Sequence, residues 1–128
     1  PCLESHGPLD IVILWLGTND LKSKFNRDAN KIASAMMELI SEVRDSKIIL
    51  VAPPFVKENI LKSETQFKGA GKKSQMLGEE LRKLAIEKNC SFIDLGPVVE
   101  VGDFDGVHLE SESQPVVAEI IYKEIKKL

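Results

Sequence analysis

The chain has 128 residues, of which 43% are hydrophobic and 29% are charged, and its net charge is −3. This length and composition predict one globular domain with a sizeable core. Charges of both signs are scattered, so the sequence shows neither the basic stripe of a nucleic-acid-binding protein nor a charged membrane-surface face. No apolar run approaches the roughly 20 residues of a membrane span, and the start lacks a signal-peptide pattern.

Two cysteines, Cys2 and Cys90, lie far apart and show no metal-ligand spacing. We expect both to be reduced thiols, which predicts a cytoplasmic protein. The chain opens on Pro1 rather than on methionine, which predicts that it is a piece of a longer protein.

Short apolar runs predict three strands, at Ile11–Leu14, Ile48–Ala52 and Ser91–Leu95. The first run is rich in β-branched residues, and we expect it to be buried on both faces, as in a parallel sheet. Between and after the strands, apolar residues recur at helical spacing, which predicts three helices. Their inward positions are Ile32, Met36, Leu39, Ile40 and Val43, then Leu77, Leu81, Leu84 and Ala85, then Val117, Ile120, Ile121, Ile125 and Leu128. This alternation predicts a layered α/β domain with a parallel sheet.

Polar residues and prolines mark the predicted boundaries. Asn26 and Asp28 are candidate N-caps of the first long helix. Ser111 with Gln114 resembles a capping box before the last helix, where Pro115 is tolerated in the first turn. The stretch 55–71 predicts a long loop, of the kind that often forms a lid or a binding loop.

Small polar residues, Gly17-Thr18-Asn19-Asp20, follow the first strand directly. In an open α/β sheet, ligands bind at the carboxyl ends of the strands. The amide of Asn19 could there donate a hydrogen bond to an anion that develops during a reaction. The same four residue types also form simple turns and helix caps, so both interpretations stand.

A second polar cluster, Asp105-Gly106-Val107-His108, precedes the last helix. A tight turn at Gly106 would let the Asp105 carboxylate reach Nδ1 of His108 and leave Nε2 free to accept a proton. One alternative is a plain Asp-Gly turn beside a surface histidine. Another is a metal site built from Asp94, Asp103, Asp105 and His108, although their spacing matches no established ligand pattern.

Together the two clusters resemble the SGNH (GDSL) hydrolases: Gly17–Asp20 resembles block III of that family, and Asp105–His108 resembles block V. The segments Pro1-Cys2-Leu3, His6, Pro8-Leu9-Asp10 and Val51-Ala52-Pro53-Pro54 resemble its arylesterase and perhydrolase branch. The resemblance implies a flavodoxin-like α/β fold, a three-layer sandwich around a parallel sheet of order 2-1-3-4-5. Strands 3, 4 and 5 would be the ones present here.

The resemblance also implies a chemistry, serine ester hydrolysis through an acyl-enzyme on small carboxylic esters, without a metal or organic cofactor. His108 would be the general base and Asp105 its orienting partner. Asn19 would supply an oxyanion-hole amide, while Gly17 and Asp20 would shape the site.

The nucleophile block of the family, Gly-Asp-Ser-Leu, has no counterpart in this chain, and neither does the glycine of the second block. Ser5 precedes the first strand, at the wrong end of the sheet to replace it. We therefore expect residues 1–128 to be a single domain that is incomplete at its N-terminus and inactive alone. Its expected partners are the missing N-terminal portion, an ester substrate and further copies of itself. The alternative is a non-catalytic, flavodoxin-like binding domain in which both motifs are turns.

Overall fold

The computed structural model describes residues 2–60 and 66–128, and in this part of the chain strands alternate with helices. The strands are β1 (Ile11–Trp15), β2 (Lys47–Ala52) and β3 (Ser91–Asp94). The helices are α1 (Cys2–Ser5), α2 (Ala29–Glu42), α3 (Ala70–Glu87) and α4 (Gln114–Lys126). Single 3-10 turns lie at Asn19–Leu21, Ser23–Phe25 and Ser111–Ser113. The three predicted strands and the three predicted long helices are confirmed.

The described strands form one parallel sheet in the order β1-β2-β3, as the predicted fold requires of three consecutive strands. Trp15 lies opposite Val51, and Val51 lies opposite Ile93. Because all three strands run in the same direction with this register, their carboxyl ends meet at one edge of the sheet. The segments that follow the strands therefore leave the sheet side by side.

Helices cover both faces of the sheet, which confirms the predicted three-layer α/β sandwich. Leu50 and Ala52 belong to a core shared with α2 and α3. Ile49 and Val51 point to the other face, where they pack in a second cluster with Val117 of α4. The alternation along β2 follows from the two-residue period of a strand, and both faces of β2 are buried.

The first strand is not buried on both faces, contrary to the prediction. The side chains of Ile13 and Trp15 are 40% and 36% exposed. Ile13 and Trp15 point to the same face of the sheet as Ile11. Only Ile11 packs against the cluster that contains Val117 of α4. The apolar, β-branched run correctly predicted a strand. It could not predict which elements would cover that strand.

The ends of the helices match the predicted caps only in part. Asp28 caps α2 by accepting the backbone N–H of Lys31 at 2.9 Å, whereas Asn26 adopts a left-handed conformation that ends a 3-10 turn. The capping box predicted at Ser111 and Gln114 is wrong, because Ser111 begins a 3-10 turn and no side chain caps α4. Leu39 and Leu128 are exposed rather than inward.

The predicted long loop of residues 55–71 ends where α3 begins at Ala70, and its residues 61–65 lie outside the described residues. Cys2 and Cys90 are both free, as predicted. Within residues 2–60 and 66–128, no helix is both long and apolar enough to cross a membrane.

Candidate active site

The stretch after β1 is a tight turn that begins at Gly17. Gly17 has a φ of +116°, a backbone conformation that residues with a side chain rarely adopt. A Cβ at this position would also lie 3.1 Å from a methyl group of Leu77. Its carbonyl accepts the N–H of Asp20 at 3.1 Å, and the fully buried Leu21 anchors the end of the turn. Asn19 is thereby held just beyond the carboxyl end of β1, with an exposed side chain.

Asp20 is engaged in an ion pair, with Oδ1 2.6 Å from a guanidinium nitrogen of Arg27. This contact connects the 3-10 turn of Asn19 to the segment that leads into α2. The pair is partly exposed and contributes little to stability. The shaping role of Asp20 stays a prediction.

A single carboxylate organises the turn Asp105-Gly106-Val107-His108. Oδ1 of Asp105 accepts the backbone N–H groups of Val107 and His108, each at 2.9 Å. Its Oδ2 lies 2.5 Å from Nδ1 of His108, whose side chain is 83% exposed. Gly106 allows the turn with a φ of +71°. The predicted hydrogen bond between Asp105 and His108 is therefore confirmed, whereas its catalytic role stays a prediction.

The ionisation of Asp105 determines which ring nitrogen of His108 carries the proton. Burial raises the pKa of this carboxyl, but the hydrogen bonds from the His108 backbone, the His108 ring and the Val107 backbone outweigh it and lower the pKa to about 2. The carboxylate is thus ionised at neutral pH and can only accept hydrogen bonds. Nδ1 must then be the donor, so that Nε2 of the neutral ring is left as a proton acceptor.

Backbone contacts lock this turn to its surroundings. Gly102 donates its N–H to the carbonyl of His108 at 2.8 Å, and Gly106 donates to the carbonyl of Gly102 at 3.1 Å. On its other side, the carbonyl of Gly106 accepts the N–H of Lys57 at 2.8 Å. Sequence reasoning missed Gly102 and Lys57, since no local pattern connects residue 57 to residue 106.

The structure brings Asp105 and His108 together, whereas Asn19 lines a groove whose lining includes neither of them. A groove of about 550 Å³ lies between the carboxyl end of β1 and one side of α2. Its lining is Trp15, Leu16, Gly17, Thr18, Asn19, Asp20, Ile32, Ala35, Met36, Glu38 and Leu39. A cleft shared by Asn19 and His108 stays a prediction.

The four residues of the possible metal site are engaged in other contacts, and Asp105 and His108 bind each other. Asp94 accepts the N–H of Gly96 at 3.1 Å and lies 3.5 Å from Arg82, while Asp103 pairs with Lys57. Among residues 2–60 and 66–128, no three His, Cys, Asp or Glu side chains are grouped so that they could hold a metal ion.

Most of the chain matches one known protein family. The sequence model of the GDSL-like lipase/acylhydrolase family matches residues 1–114. The chain therefore belongs to the GDSL-like lipase/acylhydrolase family, as the resemblance of its two motifs implied. No curated protein sequence matches this one.

Solved structures of esterases are similar to this fold. Est24, a carbohydrate acetylesterase from Sinorhizobium meliloti, has a TM-score of 0.91 and 31% identity over 98% of this chain and 64% of its own. The aryl esterase of M. smegmatis has a TM-score of 0.91 and 28% identity, over 99% and 65%. A lipase/acylhydrolase from Enterococcus faecalis, at 22% identity and a TM-score of 0.76 over 92% and 62%, supports the fold alone. The chain spans less than two thirds of the length of each.

Proposed function

We propose that this protein hydrolyses small carboxylic esters by transfer of the acyl group to a serine and then to water. The observation that carries the proposal is the Asp105–His108 pair, in which an ionised carboxylate lies 2.5 Å from Nδ1 of an exposed imidazole. A base oriented in this way is what a serine nucleophile requires. Membership of the GDSL-like lipase/acylhydrolase family supports the same reaction class.

In the proposed mechanism, Nε2 of His108 accepts the hydroxyl proton as the serine oxygen attacks the ester carbonyl. Asp105 stabilises the imidazolium that forms, and the side-chain amide of Asn19 donates to the oxyanion. His108 then protonates the alcohol as the ester C–O bond breaks. In the second half, water loses a proton to His108 and attacks the acyl carbonyl. His108 then returns this proton to the serine oxygen as the acyl–oxygen bond breaks, which releases the acid and restores both residues.

We further propose that the serine comes from an N-terminal portion of the same domain, which adds a strand beside β1. Within the described residues, β1 pairs with β2 alone, so its other edge has no strand partner. Trp15 and Leu16 expose 36% and 51% of their surface at the groove that contains Asn19. A parallel strand added here would bury this edge and place its carboxyl end near Asn19. The shorter span of the chain relative to its structural relatives supports this proposal.

Association between copies and a cytoplasmic location are also part of the proposal. As long as the N-terminal strand is absent, the edge of β1 that has no strand partner among the described residues is a surface through which copies of the 128-residue chain pair. The free state of Cys2 and Cys90 fits a reducing compartment.

The decisive experiment assays p-nitrophenyl acetate hydrolysis by the 128-residue chain, first alone and then with the portion encoded upstream. We expect at most marginal activity alone, because no nucleophile block is present, and serine-reagent-sensitive activity after mixing. His108→Ala should abolish that activity, whereas His6→Ala, at the other histidine of the chain, should leave it intact. An upstream sequence without a strand followed by Gly-Asp-Ser would favour the non-catalytic binding domain. Strong activity of the chain by itself would show that it contains a different nucleophile.

A further inference from the structure

Lys57, in the segment after β2, contacts both the turn Asp105–His108 and the residues that precede this turn. Its backbone N–H donates to the carbonyl of Gly106 at 2.8 Å. Its Nζ lies 2.9 Å from Oδ1 of Asp103 and 3.1 Å from Oε2 of Glu100. The contacts therefore reach the chain on both sides of Asp105, two residues before it and one residue after it.

We propose that Lys57 is a positioning residue, whose ammonium group and backbone together hold Asp105 in the orientation that binds Nδ1 of His108. The catalytic consequence of this positioning rests on the proposed esterase function, whereas the orientation of Asp105 itself does not.

The backbone around Gly106 has little freedom to adjust. A Cβ on Gly106 would collide with the carbonyl oxygen of Lys57, so the two backbones lie in direct contact. The Asp105 carboxylate uses both oxygens, one on two backbone N–H groups and one on the imidazole. A small rotation of the segment before Asp105 would break this set of bonds, and misplacement by about 1 Å is enough to impair catalysis.

The ion pairs of Lys57 hold position rather than add much stability. Ion pairs at the surface contribute little to the free energy of folding, and Glu100 and Asp103 are exposed. One ammonium nevertheless bonds to two carboxylates of the same segment, which restricts that segment more than a single pair would. The side-chain hydrogen bonds to Asp103 and then to Glu100 raise the pKa of Lys57, so it stays charged at neutral pH.

The test measures the tautomer of the His108 ring by ¹⁵N NMR in the 128-residue chain, at a pH where the ring is neutral. In the parent chain we expect the Nδ1–H form, because Asp105 accepts that proton. Lys57→Met should shift His108 toward a mixture of both tautomers, and Lys57→Arg should restore the parent spectrum. Lys83→Met is the matched control, because it removes a lysine paired with Glu80 at 2.8 Å on α3. His6 serves as an internal reference.

A second variant reaches the same contacts from the other side. Glu100→Gln combined with Asp103→Asn removes both carboxylates and should reproduce the Lys57→Met spectrum, which also decides the matter if Lys57→Met fails to fold. Parent-like tautomers in both variants would overturn the proposal. A shift in Lys57→Met alone would overturn it too, because the ion pairs would then not position the turn. The measurement needs no ester, so a failure of the proposed function would be seen separately, in the hydrolysis assay.

Discussion

Nδ1 of His108 lies 2.5 Å from Oδ2 of Asp105, while Oδ1 of the same carboxylate accepts the backbone N–H of His108 at 2.9 Å. One side chain thus fixes both the ring and the backbone of the residue three positions later. In Asp105→Asn, the backbone N–H groups of Val107 and His108 hold the amide oxygen, so that the amide nitrogen faces Nδ1. This nitrogen can donate a hydrogen bond but cannot accept one, so we predict that the ring tautomer of His108 is reversed. In triad enzymes this change lowers turnover by about 10⁴-fold. The ¹⁵N chemical shifts of His108 report the tautomer, and the turnover is measured on the 128-residue chain mixed with the portion encoded upstream. An unchanged tautomer would contradict the hydrogen bond assigned between Asp105 and Nδ1 of His108.

The low pKa of Asp105 makes part of the stability depend on pH. Its folded pKa of about 2 lies below the ordinary value of 3.8. The stabilisation is therefore fully present above about pH 4 and is lost as the pH falls toward about 2, where the folded carboxylate is also protonated. We expect Asp105→Asn to flatten this acid loss of stability. Urea unfolding between about pH 5 and pH 2.5 measures it, with Asp45→Asn making the same chemical change outside the site.

Alanine substitutions at two glycines with similar backbone conformations distinguish the cost of backbone strain from the cost of a steric collision. Gly106 and Gly69 have φ angles of +71° and +77°. A Cβ at Gly69 meets nothing within 4 Å, whereas one at Gly106 would collide with the carbonyl of Lys57. We expect Gly69→Ala to cost about 1–2 kcal/mol from strain alone. Gly106→Ala should cost clearly more in urea unfolding; equal costs would show that the backbone contact is absent.

The side chain of Asn19 is the proposed oxyanion donor. Removing one such donor typically lowers turnover by about 10²–10³-fold, with much less effect on substrate binding. We expect this pattern for Asn19→Ala in the enzyme completed by its N-terminal portion, measured as kcat and KM on p-nitrophenyl acetate. Asn30→Ala, on an exposed position of α2, is the matched control and should behave like the parent. Unchanged turnover in Asn19→Ala would remove the oxyanion role.

The partly uncovered face of β1 should make the chain self-associate. Ile13 is 40% exposed on a strand whose outer edge is unpaired within the described residues. Lysine on such a strand opposes pairing between copies. We expect Ile13→Lys to weaken association by at least about tenfold, equivalent to about 1.4 kcal/mol. Ile86→Lys, at a 78% exposed position on α3, should not weaken it. Sedimentation velocity across a concentration series distinguishes the two results.

Much of the fold was predictable because its signals are local. A strand or a helix face depends on spacing along the chain, so Ile32 and Met36 of α2 were correctly placed in the core. Asp28 caps its helix through a residue three positions away. The bond between Asp105 and His108 spans the same short distance along the chain, which is why the sequence alone predicted it.

Other features depend on which elements meet in space, so they became visible in the folded chain alone. The exposure of Ile13 and Trp15 depends on where α4 lies, which the strand's own residues do not determine. Ser111 had a capping sequence but begins a 3-10 turn. Lys57 reaches Gly106 because β2 and β3 are neighbours in a parallel sheet, and the segments that follow them leave it at one edge. The local geometry of the Asp105–His108 turn follows from neighbouring residues in the chain, whereas the contacts that support this turn follow from strand order and packing.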